Sequence, residues 1–129
     1  MDCLFCKIID GNIPSKTIYE DKLLKVFLDI NPTTNGDMLI VPKKHYENLF
    51  DLDEKLIPHI LKVIKELNVL LKDKLDIDGL TLVQNNGEGQ DIKHFHVHVT
   101  PRYKNDKVSQ SSNKDLLVSI DDVFDQIKN

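Results

Sequence analysis

His94-Phe95-His96-Val97-His98-Val99-Thr100 is the stretch on which the reading of this chain turns. Polar and apolar residues alternate at the period of a β-strand, in which successive side chains point to opposite faces. The spacing predicts a strand over 94–100 with three imidazoles on one face, their Cα atoms roughly 6.5 to 7 Å apart. Phe95, Val97 and Val99 then turn into a core, and Pro101 closes the strand. Lys, Thr or Glu would serve a solvated face as well, so three histidines call for chemistry. Neutral imidazoles at i and i+2 can share a metal ion. Alternatively, one imidazole can attack phosphorus while its neighbours orient it and bind the phosphate. Imidazole titrates near neutrality, so it can be neutral for attack and cationic for holding an anion.

The residues just upstream favour the second chemistry. Asn85-Asn86-Gly87-Glu88-Gly89-Gln90 is a loop in which backbone can approach a ligand closely, and its N–H groups and amides suit phosphate oxygens. Lys93, Arg102 and Lys104 add positive charge around the strand.

Leu80–Gln84, before the loop, reads as a strand able to pair with 94–100. Further back, Thr17–Glu20, Leu24–Asp29 and Asp37–Val41 read as three meander strands, with Asp21-Lys22 as a hairpin turn. Leu56, Ile57, Ile60, Leu61, Ile64, Leu67, Leu70 and Leu71 recur at helical spacing and predict a long helix over 51–75. Asp51 with Glu54 resembles a capping box. Pro58 must either kink that helix or set 51–57 apart as a turn. Phe5–Ile9 forms a short apolar helical turn. Residues 108–129 are a polar linker and an amphipathic helix (Leu116, Leu117, Ile120, Val123, Phe124, Ile127), appended to a domain over 1–107. The class is α+β: a five-stranded antiparallel sheet, one long helix, a short N-terminal helix and a C-terminal amphipathic helix.

The chain has 129 residues, enough for one core, and 40% are hydrophobic and 29% charged. No apolar run approaches the roughly 18 to 20 residues of a membrane span. The start, Met1-Asp2-Cys3, lacks the basic and apolar segments of a secretory leader, so a cytoplasmic protein is expected. The net charge of −4 argues against a polymeric nucleic-acid partner.

The run 94–100 matches the His-φ-His-φ-His-φ-φ pattern of the histidine triad, or HIT, superfamily. Leu4–Ile9, Ile13-Pro14, Tyr19-Glu20-Asp21, Phe27–Ile30, Leu39–His45 and Gly89-Gln90 resemble the family's landmarks in its order, over about residues 3 to 104. The chain looks closest to the Hint branch and its bacterial relatives, small nucleotide hydrolases that form homodimers. This resemblance implies that His96 is the nucleophile, that His98 hydrogen-bonds the phosphate and that His94 helps to orient His96. It implies a purine-nucleotide site in which Asp29 binds the ribose and Phe5, Ile8, Phe27, Leu28 and Ile30 surround the base. Asn85, Gly89, Gln90 and Asp91 would lie at the phosphate. Asp91 stands where the family usually has Ser or Thr, and a carboxylate there repels an anion.

The expected reaction is hydrolysis of AMP–X conjugates, such as adenosine phosphoramidates, through a covalent His96–AMP intermediate. Dinucleoside polyphosphate hydrolysis and a non-catalytic, zinc-stapled nucleotide-binding module are the alternatives. Cys3-x-x-Cys6 fits neither a secreted disulfide framework nor a thioredoxin-like redox pair after a strand. A zinc site needs two further ligands, with His45, His59 or a histidine of the run as candidates. The resemblance to bacterial relatives implies the set Cys3, Cys6, His45 and His94, holding a structural zinc.

Overall fold

The computed structural model describes residues 2–128. Its elements in chain order are α1 (Leu4–Ile9), β1 (Thr17–Glu20), β2 (Leu24–Leu28), β3 (Met38–Pro42), α2 (Leu56–Leu75), β4 (Gly79–Val83) and β5 (Val97–Arg102). A 3-10 turn (Lys114–Leu116) and α3 (Ile120–Lys128) follow. The five strands form one sheet, ordered β1-β2-β3-β5-β4, with every neighbouring pair antiparallel.

Strand register decides which side chains meet. Val26 pairs with Ile40 and Ile40 with Val97, and all three are buried in the core that α2 covers through Ile60, Val63, Leu67 and Leu71. One residue along, Phe27 pairs with Leu39 and Leu39 with His98. The period-2 alternation turns this second row to the opposite face, where Phe5 and Ile8 of α1 form a smaller core with Phe27, Leu39 and Val41. The thick α2 layer thus leaves the α1 face as the one on which a ligand can lie.

Three elements differ from expectation by more than a residue at a boundary. The strand predicted over 94–100 begins at Val97 and runs through Pro101 to Arg102. Upstream, the chain after Pro42 leaves the sheet, and the Phe95 amide donates to the Tyr46 carbonyl at 2.7 Å instead of to a ladder partner. The alternation nevertheless persists, with Phe95 buried in the α2 core and His94 and His96 against Phe5. Pro101 lies beyond the last β3 pair, Met38 with Val99, where only β4 flanks the strand and a missing N–H is tolerated.

The long helix starts at Leu56, not at Asp51. Pro58 falls in its first turn, where the absent N–H has no intrahelical partner to lose. Residues 51–55 are a separate turn, and Asp51 accepts from the Glu47 and Asn48 amides rather than capping the helix. The predicted C-terminal helix is interrupted. Asn113 caps the 3-10 turn, Leu117 is extended, and Ser119 caps α3 through the Asp122 amide. Its apolar side chains, Ile120, Phe124 and Ile127 among them, are exposed in this single chain. Among the described residues, no helix is long and apolar enough to cross a membrane.

Candidate active site

A cleft of about 640 Å³ opens on the α1 face of the sheet. Phe5, Ile8, Phe27 and Ile30, read from the sequence as a base pocket, all line it, as do Asp29, Asn85, Gly89, Asp91, His96 and His98. Ile30 stands at the rim and is 91% exposed. Gln90 is absent from the wall. Its buried amide donates to the carbonyls of Glu47 and Ile92 at 2.7 and 2.9 Å and accepts from the Gly87 amide, so it braces the loop from behind.

Several lining residues were not singled out in the sequence. Leu39 was recoverable, because a residue paired with both Phe27 and His98 must share their face. Asp37 was not, since its carboxylate is defined by contacts distant in sequence. It is buried and accepts from Thr100 Oγ1 at 2.8 Å and from the Thr33 amide at 2.9 Å, which fixes the loop that carries Asp29.

The histidines are packed edge to face. Phe5 lies 5.1 Å from His96 between ring centroids, and His96 lies 4.9 Å from His98. His96 Nδ1 is 2.7 Å from the carbonyl oxygen of His94. A carbonyl only accepts, so Nδ1 carries the proton and Nε2 the lone pair. Burial pushes the His96 pKa down. The His94 carbonyl opposes that shift, His98 adds to it, and the charges of Asp29 and Asp91 oppose it again. The ring is therefore neutral near pH 7.

His94 is fully buried and faces away from the cleft. Its Nε2 lies 2.8 Å from the Pro42 carbonyl, which places the proton on Nε2 and leaves Nδ1 bare. That Nδ1 is 3.1 Å from His45 Nδ1, 3.4 Å from Cys3 Sγ and 3.5 Å from Cys6 Sγ. His45 Nδ1 is 3.5 and 3.4 Å from the same two sulfurs. A tetrahedral zinc with usual bond lengths implies N–S separations of about 3.5 Å and an N–N separation of about 3.3 Å. The four donors fit that geometry, and the Pro42 carbonyl supplies the outer hydrogen bond that metal-bound histidines use. Burial first, then the hydrogen bond and charge of Cys3, push the Cys6 thiol up to about 11. A divalent cation has the opposite effect and deprotonates a thiol that coordinates it. His59, the other candidate ligand, lies elsewhere, 2.6 Å from Asp21.

A family model described as HIT domain matches residues 10–105. The chain belongs to the HIT family. It is 42% identical over 128 residues to a HIT-like protein, MJ0866, of Methanocaldococcus jannaschii, covering 98% of both chains. It is 37% identical over 102 residues to the adenosine 5'-monophosphoramidase HNT1 of Saccharomyces cerevisiae, covering 78% of this chain and 62% of that one. Among solved structures it resembles a zinc-bound histidine triad protein of Mycobacterium smegmatis, with a TM-score of 0.80 and 33% identity over 88% of this chain and 84% of the other. The α+β sheet described above is thus a HIT fold, and the cleft lies beside the histidines for which the family is named.

Proposed function

We propose that this HIT protein hydrolyses AMP–X conjugates, adenosine phosphoramidates foremost, through a covalent His96–AMP intermediate. The observation that carries this reading is the 2.7 Å contact of His96 Nδ1 with the His94 carbonyl, which leaves a neutral ring with its lone pair on Nε2 at the wall of the cleft. The yeast relative's phosphoramidase activity supports a P–N substrate.

The base lies among Phe5, Ile8 and Phe27. Asp29 Oδ1 already accepts from the Asn31 amide at 2.9 Å, which leaves Oδ2 for the ribose hydroxyls. His96 Nε2 attacks the α-phosphorus, the P–X bond breaks, and X departs with the bonding pair and takes up a proton. Water then attacks the same phosphorus and gives up a proton, the P–Nε2 bond breaks, and AMP leaves. Splitting one displacement into two lowers each barrier. His98, on β5 just beyond His96, holds the phosphate together with the Asn85–Gly89 loop.

Zinc in the Cys3–Cys6–His45–His94 site is structural: four protein donors leave no open position for water. The zinc-bound relative supports this choice of metal. It ties α1 to the chain leading into β5 and plays no part in the displacement. Reduced cysteines as ligands suit a reducing, cytoplasmic compartment. A second copy would cover the β4 edge, where Leu82 and Val83 are 49% and 41% exposed, and a homodimer is expected.

The test is an acid-quenched reaction with adenosine phosphoramidate, read by mass spectrometry for AMP on His96. His96→Ala should retain AMP binding and lose at least about a thousandfold in kcat. Undiminished turnover in that variant would overturn the assignment.

A further inference from the structure

The cleft has an uneven charge inventory. Its titratable lining side chains are Asp29, Asp37, Asp91, His96 and His98, and no Lys or Arg lines it among the described residues. Asp37 is spent on Thr100 and Thr33. Asp29 lies on the wall that takes the nucleoside. Asp91 also lines the cleft, as do Asn85 and Gly89, and is exposed, with no hydrogen bond or ion pair to its carboxylate among the described residues. The nearest cation in sequence, Lys93, makes no ion pair with it: its Nζ donates to the carbonyls of Gly87 and Gln90 at 3.3 and 3.1 Å.

With the base at Phe5 and Phe27, the ribose at Asp29, the α-phosphate at His96 and His98, and Asp37 spent, Asp91 is the charged lining residue left for the leaving group to meet. We propose that Asp91 makes this cleft selective for AMP conjugates whose leaving group carries a positive charge, such as an amine bearing a second ammonium, and disfavours conjugates of anionic groups. The inference rests on the nucleotidyl-hydrolase reading above and narrows it to a substrate class. A carboxylate at the surface of a concave cleft has its field focused into that cleft, although water screens it in part. It attracts a cationic tail and repels a carboxylate, sulfate or polyphosphate tail. Specificity is a difference between affinities, and one fixed charge acts on both sides of that difference.

Three adenosine phosphoramidates of similar size test this: one with a 2-aminoethyl tail on nitrogen, one with a propyl tail and one with a 2-carboxyethyl tail. For the native protein, kcat/KM should be about tenfold higher for the ammonium tail than for the propyl tail, and several-fold lower for the carboxylate tail. In Asp91→Asn all three should fall within about twofold of one another. The native preference should also shrink between low and 0.5 M salt, because it is electrostatic. Equal rates for the three tails in the native protein would overturn the proposal, as would a ranking that survives in Asp91→Asn. Either result leaves the hydrolase reading standing. Failure to turn over any of the three, with no label on His96, overturns that reading and this inference with it.

Discussion

His94 Nε2 lies 2.8 Å from the carbonyl oxygen of Pro42, so the ring of the first histidine is withdrawn from the cleft and turns a bare Nδ1 to Cys3, Cys6 and His45. Metal removal should therefore act on stability before chemistry. We expect about one zinc per chain by elemental analysis, reduced to a small fraction in Cys3→Ser. Chelation, or that substitution, should cost roughly 2–3 kcal/mol, about 10 °C in the melting temperature. Full zinc occupancy in Cys3→Ser would rule out the four-ligand site.

The role proposed for Asp91 extends from the leaving group to the product. The phosphate of AMP is an anion, and a carboxylate on the same cleft opposes it by on the order of 1 kcal/mol. Asp91→Ser should tighten AMP about fivefold in isothermal titration. Unchanged affinity and unchanged turnover would remove Asp91 from the neighbourhood of the phosphate.

Gly36 joins the loop before β3 to the end of α2. Its φ is +92°, and a Cβ placed on it would lie 2.7 Å from Leu75 Cδ1 and 3.2 Å from Pro101 Cγ. The left-handed backbone strains any residue with a Cβ, and that Cβ must also push aside the end of Leu75 and press on Pro101. Gly36→Ala should destabilise by about 2–3 kcal/mol, read as a lower urea midpoint with an unchanged slope. A midpoint within error of the native one would show that this packing yields freely.

Acid should weaken the junction between the β1–β2 turn and α2. Burial alone would raise the Asp21 carboxyl. Hydrogen bonds from Tyr19, the Leu23 and Leu24 amides and His59 outweigh it and hold the group well below the usual carboxylate range. A folded-state pKa below the unfolded value of 3.8 adds stability that is fully present above that value and is lost as the pH falls through the folded value. Asp21→Asn should thus be less stable than the native chain at pH 6, with the gap closing below about pH 4. A constant gap between pH 6 and pH 3 would show that the ionised carboxylate contributes nothing there.

The face assignment was legible in the sequence because it depends only on alternation. Phe95, Val97 and Val99 had to oppose the histidines wherever the ladder began. The Cys3–Cys6–His45–His94 cluster was legible through the resemblance; residue types alone left His59 in contention, and only the fold separates them. The start of α2 was misplaced because Asp51 and Glu54 look like a cap while the preceding amides of Glu47 and Asn48 claim Asp51. The motif position of Gln90 points to the ligand but says nothing about which way its amide turns, and the amide turns to Glu47 and Ile92. The break before α3 arises from two polar residues, Asn113 and Ser119, each capping its own short segment.

The acceptor that fixes the His96 tautomer is a main-chain oxygen, and this has a consequence for how the site tolerates change. Every amino acid at position 94 supplies that oxygen. Loss of the imidazole there removes one donor of the candidate metal site but not the chemical group that holds the His96 ring. Mutation can therefore separate the two clusters: the Cys3–Cys6–His45–His94 donors can be eroded, or replaced by packing, in a chain whose His96 keeps its proton on the same nitrogen. Only a shift in the path of the backbone through residues 94–96 takes both away together.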